Sequence, residues 1–378
     1  MARTKKSGGD TVAWKREGEY MVKVAENVFD DGSPMLSDLL KEVTGNDSPR
    51  VMIVADGNVV QRTEGLGKRI GRYVQAHGIT LAGAPVVING GEKVKADNLQ
   101  SVLKVADAAL EAKIGARDAV IALGGGSVLD VAGYAAAQVR GGVNLVRMPT
   151  TAASMVDAAF SGYAAVDGAN VKDALRVPCQ PAAVVVDPSF AKTVLDGVWR
   201  GGIGEMVRHA AAVDGTLLKK IARSVEALKS RDAAAMTEFV GECVASRVKK
   251  GSTDFALWSA ARLEAMSGYK LPHGYAVPIG ICIDCAYAVS KGLLKESDQE
   301  TICGILADCG ALEGLAHSRH LLAQADSIVF GLDAWRLSTG SAEITLPCGV
   351  GKSKAEPQPD REEFKKVIKE FLEVSTSA

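Results

Sequence analysis

An alternation dominates the first half of the chain. Short apolar runs of strand length, each ended by glycine, proline, aspartate or asparagine, take turns with amphipathic stretches of helical period. Arg50-Val51-Met52-Ile53-Val54-Ala55 stops at Asp56-Gly57-Asn58 and is followed by LGKRIGRYVQAHG. Residues 84–88 (APVVI) precede NLQSVLKVADAALEAKIG, and residues 119–123 (AVIAL) precede three glycines and VLDVAGYAAAQV. Residues 144–148 and 183–186 add two more runs. Parallel strands cannot be joined by a tight turn, so a helix in each connection is the economical crossover. The pattern predicts an α/β region with a parallel, Rossmann-like, doubly wound sheet.

Beyond Asp187 the period changes. VLDGVWRGGIGEMVRHAAAVDGTLLKKIARSVEALKS, HGYAVPIGICIDCAYAVSKG, QETICGILADCG and DREEFKKVIKEFLEV all read as helix. One late segment, residues 342–347, reads as a strand, and KSKAEPQPDREE reads as a solvated loop. The expected organisation is an α/β domain over residues 1–186 and an all-α C-terminal domain over 187–378. The length of 378 residues suits two ordinary domains, and no internal repeat is evident.

Composition excludes several classes of function. With 44 Lys+Arg against 45 Asp+Glu, the net charge is -1, which supplies neither a nucleic-acid footprint nor a polybasic membrane patch. An acidic ligand must therefore be held by a local cluster of cations. The N-terminal MARTKKSGGDTVAWKREGEY lacks the apolar core of a signal peptide, and no stretch of about 20 apolar residues offers a membrane span. Seven cysteines without a secretory signal point to reduced thiols and a cytoplasmic protein. Cys282 and Cys285 form a C-x-x-C pair inside an apolar run, which reads as a buried helix face rather than a redox or zinc site.

Three segments carry candidate chemistry. Leu123-Gly124-Gly125-Gly126-Ser127-Val128-Leu129-Asp130 follows a strand and opens a helix, so backbone N–H groups and the helix dipole face whatever lies above the turn. A pyrophosphate fits there, as does a plain strand-to-helix turn. The spacing is not G-x-G-x-x-G, so an ordinary Rossmann dehydrogenase is not indicated. Asp56 is placed to accept hydrogen bonds from a ribose or simply to close its turn. Pro149-Thr150-Thr151, with Asp157 and Lys172 downstream, offers hydroxyls, a carboxylate and an ammonium to a polyol or a nicotinamide ribose; the threonines also suit a helix cap. In Gly204-Glu205-Met206-Val207-Arg208-His209, Glu205 and His209 share a helix face, as a divalent-metal site or a surface ion pair would need. His273 stands at the start of an apolar helix, as a cap or a ligand.

In their order and spacing these blocks resemble the 3-dehydroquinate synthase family, the sugar phosphate cyclases. The resemblance is carried by Gly91-Glu92-Lys93-Val94-Lys95, GGGSVLDVAGYAAAQVRGG, MPTTAASMVD, FAKT at 190–193, GIGEMVRHAAAVD, LPHGYAVPIG and GVGKS. It runs from about residue 50 to residue 352. Glu205 and the pair Arg140-Gly141 tilt it towards the cyclases and away from the related glycerol and iron-dependent alcohol dehydrogenases. The resemblance implies an NAD-binding α/β domain, a helical domain, a cleft between them and a homodimer. It implies NAD contacts from Asp56, Asn58, Glu92, Lys95, Gly125, Gly126, Ser127, Val128, Leu129, Asp130, Thr150, Thr151, Lys172, Phe190, Ala191, Lys192 and Thr193. It gives Glu205 and His273 to a zinc or cobalt ion, and catalytic roles to Asp157, Lys172, Arg208 and His273. The implied reaction oxidises a hydroxyl of a sugar phosphate with NAD, eliminates phosphate, returns the hydride and closes a carbocycle.

The departures are as informative. Leu257 stands where the resemblance puts a metal-binding histidine, and Ala261 where it puts a second histidine. About ten residues rich in charge are missing just before this helix. Tyr163 replaces a lysine, Asp173 an asparagine, Ala334-Trp335 two lysines, and Arg208 a lysine. Unless Asp254 or His209 moves in, the metal has two protein ligands instead of three. The lost cations argue against the usual seven-carbon substrate. An NAD(H)-dependent polyol or polyol-phosphate dehydrogenase and a catalytically silent NAD-binding relative are the alternative readings.

Overall fold

The computed structural model describes residues 19–168 and 171–377; most of the N-terminal segment read above as lacking a signal core lies outside them. The strands among the described residues are β1 (Met21–Val24), β2 (Arg50–Asp56), β3 (Thr80–Leu81), β4 (Val86–Ile88), β5 (Ala119–Gly124), β6 (Asn144–Pro149), β7 (Tyr163–Gly168), β8 (Val171–Pro178), β9 (Ala183–Val186), β10 (Ile344–Pro347) and β11 (Ser353–Glu356). Seven of them form one sheet in the order β1-β9-β6-β5-β2-β3, with β4 also paired to β2, and every pairing is parallel. All six residues of β5 are buried, which is why that strand reads as an unbroken apolar run rather than an alternation.

The helix Gly126–Gln138 follows β5 and packs on the sheet through Val128, Leu129, Val131 and Ala132. Its Gly133 faces Ala164, Cys179 and Leu145, leaving room for the β7–β8 hairpin to lie against it. Strands β2, β5 and β6 end together, with Gly124 in register with Pro149 and Ala55 with Leu123. In parallel sheets a ligand crevice opens beyond those carboxyl ends.

From Asp196 to Thr339 the described chain is helical, with short connections. Its centre is the crossing of the helices Asp196–Val213 and His273–Ser290. Glycines make the close approach possible. A Cβ on Gly201 would lie 2.5 Å from the Cα of Gly274, and one on Gly204 would lie 2.8 Å from Pro278 Cγ. Gly202 meets Ala152 in the same way, so the first helix is pressed against the α/β half as well. Cys282 and Cys285 are buried in the second helix as free thiols, and no described helix is long and apolar enough to cross a membrane.

Two local expectations change. Ser353–Glu356, read as part of a loop, is a strand pairing antiparallel with Ile344–Pro347. Gly349 and Gly351, at φ 130° and 75°, turn the chain back on itself, and that geometry outweighs the polar composition. The hairpin of β7 and β8 was not legible at all, because no residue of β8 is fully buried and the strand lacks an apolar run.

The crossing gives the first prediction. Gly201→Ala is expected to destabilise the protein by about 1–3 kcal/mol, the usual range for overpacking. Gly67→Ala, in a helix with open space around it, is expected to be neutral or to stabilise by up to about 1 kcal/mol. Equilibrium unfolding in urea, with unchanged slope, measures both.

Candidate active site

A cleft of about 1530 Å³ runs between the carboxyl ends of the sheet and the helical half. Of the residues singled out in the sequence, Asp56, Asn58, Glu92, Lys95, Gly125, Gly126, Ser127, Asp130, Thr150, Thr151, Asp157, Lys172, Thr193, Glu205 and His273 line it. Val128, Leu129, Phe190 and Ala191 lie in the core, and Lys192 pairs outside with Glu26 at 3.3 Å. Arg208 is buried behind Glu205 rather than on the cleft wall.

At the sheet end, Gly125 is extended (φ -71°, ψ 174°) and the helix it opens has no side-chain cap. The first N–H groups of that helix are thus left to the cleft. Asp56 Oδ1 accepts from the backbone N–H of Asn58 at 2.8 Å and from its amide at 3.2 Å. Thr151 and Ser154 cap each other reciprocally, whereas Thr150 Oγ1 is buried without a hydrogen-bond partner. An orphaned hydroxyl beside uncapped N–H groups fits a polar ligand laid across the turn.

Below this end runs a continuous chain of opposite charges. Lys95 pairs with Asp130 at 2.9 Å, with Asp173, and with Glu92 at 3.5 Å. Lys172 reaches Glu92 at 3.2 Å and Glu264 at 2.5 Å. Glu264 meets Nδ1 of His273 at 2.8 Å, and Nε2 of His273 meets Glu205 at 3.1 Å. Arg208 closes the series, 2.7 Å from Glu205 and 2.9 Å from Asp157, which Arg247 also holds at 2.8 Å. Enclosure disfavours the charge on His273, but Glu264 and Glu205 outweigh it and push its pKa up to about 10. Burial likewise works against the Glu205 carboxylate, yet Arg208 and then His273 hold it down at about 2. Lys172 is raised, its burial overcome by Glu264 and Glu92. The carboxylates of Glu92, Asp167 and Asp173 converge within 4.8 Å, but Lys95 and Lys172 already pair with two of them, Glu92 and Asp173.

The donor set for a metal can be tested on these contacts. Glu205 and His273 meet at the cleft, and Glu264 fixes the orientation of the imidazole from behind, as carboxylates do for metal-bound histidines. Leu257 lines the cleft and offers no ligand atom. Neither substitute moves in. Asp254 accepts from Thr345 Oγ1, and His209 Nε2 is buried against Ser246 Oγ at 3.0 Å. Among the described residues, only Glu205 and His273 bring metal-type donor atoms together here, one fewer than a catalytic zinc ordinarily takes from protein.

Glu264 is the central site residue that sequence reasoning missed. It lies two helical turns after Leu257, and that spacing, which keeps both on one face, was the available signal.

Residues 85–200 match the family described as 3-dehydroquinate synthase N-terminal, and residues 202–317 match 3-dehydroquinate synthase C-terminal. The 3-dehydroquinate synthase of Pyrobaculum islandicum is 31% identical over 260 residues, covering 66% of this chain and 75% of that protein. The chain belongs to the 3-dehydroquinate synthase family. The same enzyme from Nostoc punctiforme is 25% identical over 349 residues, 89% of this chain and 92% of that protein. Among solved structures, the 2-epi-5-epi-valiolone synthase of Streptomyces hygroscopicus subsp. jinggangensis, with NAD+ and Zn2+ bound, shares the fold at TM-score 0.83 and 23% identity, covering 96% of this chain and 99% of that one. A 2-deoxy-scyllo-inosose synthase complexed with carbaglucose-6-phosphate, NAD+ and Co2+ shares it at TM-score 0.74 and 19% identity, over 92% and 96% of the two chains. Family membership accounts for the order of the blocks.

The buried histidine beside the site sets a pH dependence. Burial, then the cations of Arg208 and Arg247, depress His209 from its ordinary 6.5 to about 4. Between those values the unfolded chain binds a proton that the folded one refuses. The stability this residue contributes is complete above pH 6.5 and is lost as the pH falls towards 4, by up to about 1.4 kcal/mol per pH unit. The difference in unfolding free energy between wild type and His209→Gln, measured from pH 7.5 to 4.5, is expected to shrink along that slope.

Proposed function

We propose that this member of the family is an NAD-dependent, phosphate-eliminating sugar phosphate cyclase with an altered metal and substrate site. The observation that carries the reading is that the chain Lys172–Glu264–His273–Glu205 opens onto the same cleft as the uncapped turn at Gly125–Ser127. The uncapped N–H groups would cradle the pyrophosphate of NAD, Asp56 a ribose, and Thr150, Thr151 and Lys172 the nicotinamide end. Bound NAD supplies a reversible acceptor for hydride from the carbon of a substrate hydroxyl.

The protein's own contribution is electrostatic. His273, held as an imidazolium between two carboxylates, and Lys172, held as an ammonium, present positive charge where a substrate oxygen gains negative charge. Glu205, kept ionised by Arg208, accepts from a substrate hydroxyl and orients it. A divalent ion, if taken up, would displace the Nε2 proton of His273, be held by Glu205 and His273, and polarise the same oxygen. The reading also carries the homodimer expected from the resemblance.

A cyclase returns its hydride, so it releases phosphate with no accumulation of NADH. Incubation with NAD and a panel of sugar phosphates, followed by a phosphate assay and absorbance at 340 nm, is expected to give phosphate alone. NADH accumulating in step with turnover would instead establish the polyol dehydrogenase, and NAD binding without either signal would establish the silent relative. Leu257→His is expected to tighten zinc or cobalt binding by at least about tenfold, read by calorimetry; unchanged binding would remove residue 257 from the metal site.

A further inference from the structure

Every half-buried or buried cation on the cleft wall is matched by a carboxylate, with two exceptions. Lys95, Lys172 and Arg247 have their counter-ions. Arg62, Lys93 and Lys354 pair with no carboxylate among the described residues but are exposed, where water screens them. Arg176 and Arg262 are half-buried, line the cleft, and pair with no carboxylate among the described residues.

Both guanidinium groups are nonetheless held in place. Arg262 donates from Nε to the carbonyl of Ser327 at 2.7 Å, which leaves its two terminal amino groups without a protein partner among the described residues. Arg176 donates from Nε to the carbonyl of Asp173 at 3.1 Å and from one terminal nitrogen to the carbonyl of Ser338 at 3.1 Å, and it lies 4.8 Å over the ring of Tyr163. Its other terminal amino group is unused. The two arginines approach the helix Gly331–Thr339 from opposite ends of its cleft-facing row, where Trp335 stands between Gly331 and Ser338. Orienting a charged fork while withholding its counter-ion is costly for stability and is the preparation a bound oxyanion needs.

We infer that Arg176 and Arg262 form the subsite for a dianionic phosphate group of the substrate, on the wall around Trp335. Two uncompensated positive charges match a phosphate monoester dianion, and the three unused amino groups suit a tetrahedral acceptor with several oxygens. Ala334 and Trp335 supply no cation of their own, so the charge arrives from β8 and from the helix Leu257–Met266 instead. The inference rests on the cyclase reading of the cleft, and its test separates the two.

The probe is inorganic phosphate, titrated by calorimetry into the full chain saturated with NAD, so that the turn at Gly125 is already filled. Arg176→Gln and Arg262→Gln are each expected to weaken phosphate binding at least about tenfold, with the NAD dissociation constant and the thermal midpoint unchanged. The lysine variants are expected to lose less than the glutamine variants, which a purely structural role would not produce. Lys93→Gln, an exposed cation of the same cleft, is expected to change it less than twofold, about the size of a screened surface charge. If either glutamine variant binds phosphate as well as wild type, or Lys93→Gln loses as much as they do, the subsite is overturned. Acetate binding as tight as phosphate would overturn the phosphate assignment. Failure of NAD to bind would sink the cyclase reading while leaving the arginine comparison readable on phosphate alone.

Discussion

The buried run of alternating charges from Arg208 through Glu205, His273, Glu264, Lys172 and Glu92 to Lys95 is the interaction on which the site depends. Glu205, Glu264, Arg208 and Lys95 are almost wholly removed from solvent. A lone charge in that position costs several kcal/mol, and only an unbroken sequence of close opposite partners makes it tolerable. The run begins on the helix Asp196–Val213, passes through Leu257–Met266 and the start of His273–Ser290, and ends on β8 and the short turn at Glu92–Val94. It therefore ties the helical half to the sheet at the place where the cleft opens. Arg208 and His273 keep the Glu205 carboxylate ionised, and Glu264 and Glu205 favour the charged form of His273, so these cleft-facing groups carry settled charges before any ligand arrives.

The geometry that brings Glu205 to His273 is supplied by residues with no side chain. His273 is the first residue of its helix, and the crossing at Gly274 and Gly201 lets that helix start within hydrogen-bond reach of Glu205, one turn further along the partner helix. The imidazole is already oriented by Glu264 on one side and Glu205 on the other, so its position does not require a third metal ligand. The charges of Glu205 and Glu264 are balanced by His273, Lys172 and Arg208.

Much of this was legible in the chain. The apolar runs at 50–55, 119–123, 144–148 and 183–186 are strands because a parallel sheet covered on both faces demands continuous hydrophobicity, and β2, β5, β6 and β9 follow them closely. The triple glycine after β5 was visible for a related reason, since few other residues suit a strand that turns at once into a helix. What could not be read were features made by partners far apart in sequence. Glu264 meets Lys172 across 92 positions, and beyond its spacing from Leu257 nothing local distinguishes it from a surface glutamate. Strand β8 and the strand at Ser353–Glu356 exist through pairing and through glycine turns rather than through pattern. Arg208 lay in a recognised block, yet only the structure shows it behind Glu205, acting on a cleft-facing carboxylate instead of facing the cleft itself.

The overall charge of -1 leaves no long-range field to collect an anion, so any anion selectivity of this cleft has to be local. The inner cations cannot provide it, because Lys95, Lys172 and Arg247 are bound up with carboxylates that neutralise them. The outer wall can, because Arg176 and Arg262 are anchored by backbone carbonyls, which fix a guanidinium without cancelling its charge. Carbonyl anchoring and carboxylate pairing thus divide the cleft into two electrostatic zones: a neutralised interior that positions protons and hydroxyls, and a rim that keeps positive charge available. A substrate carrying a polyol at one end and a phosphate at the other is complementary to both zones at once, whereas a neutral polyol leaves the two arginines uncompensated.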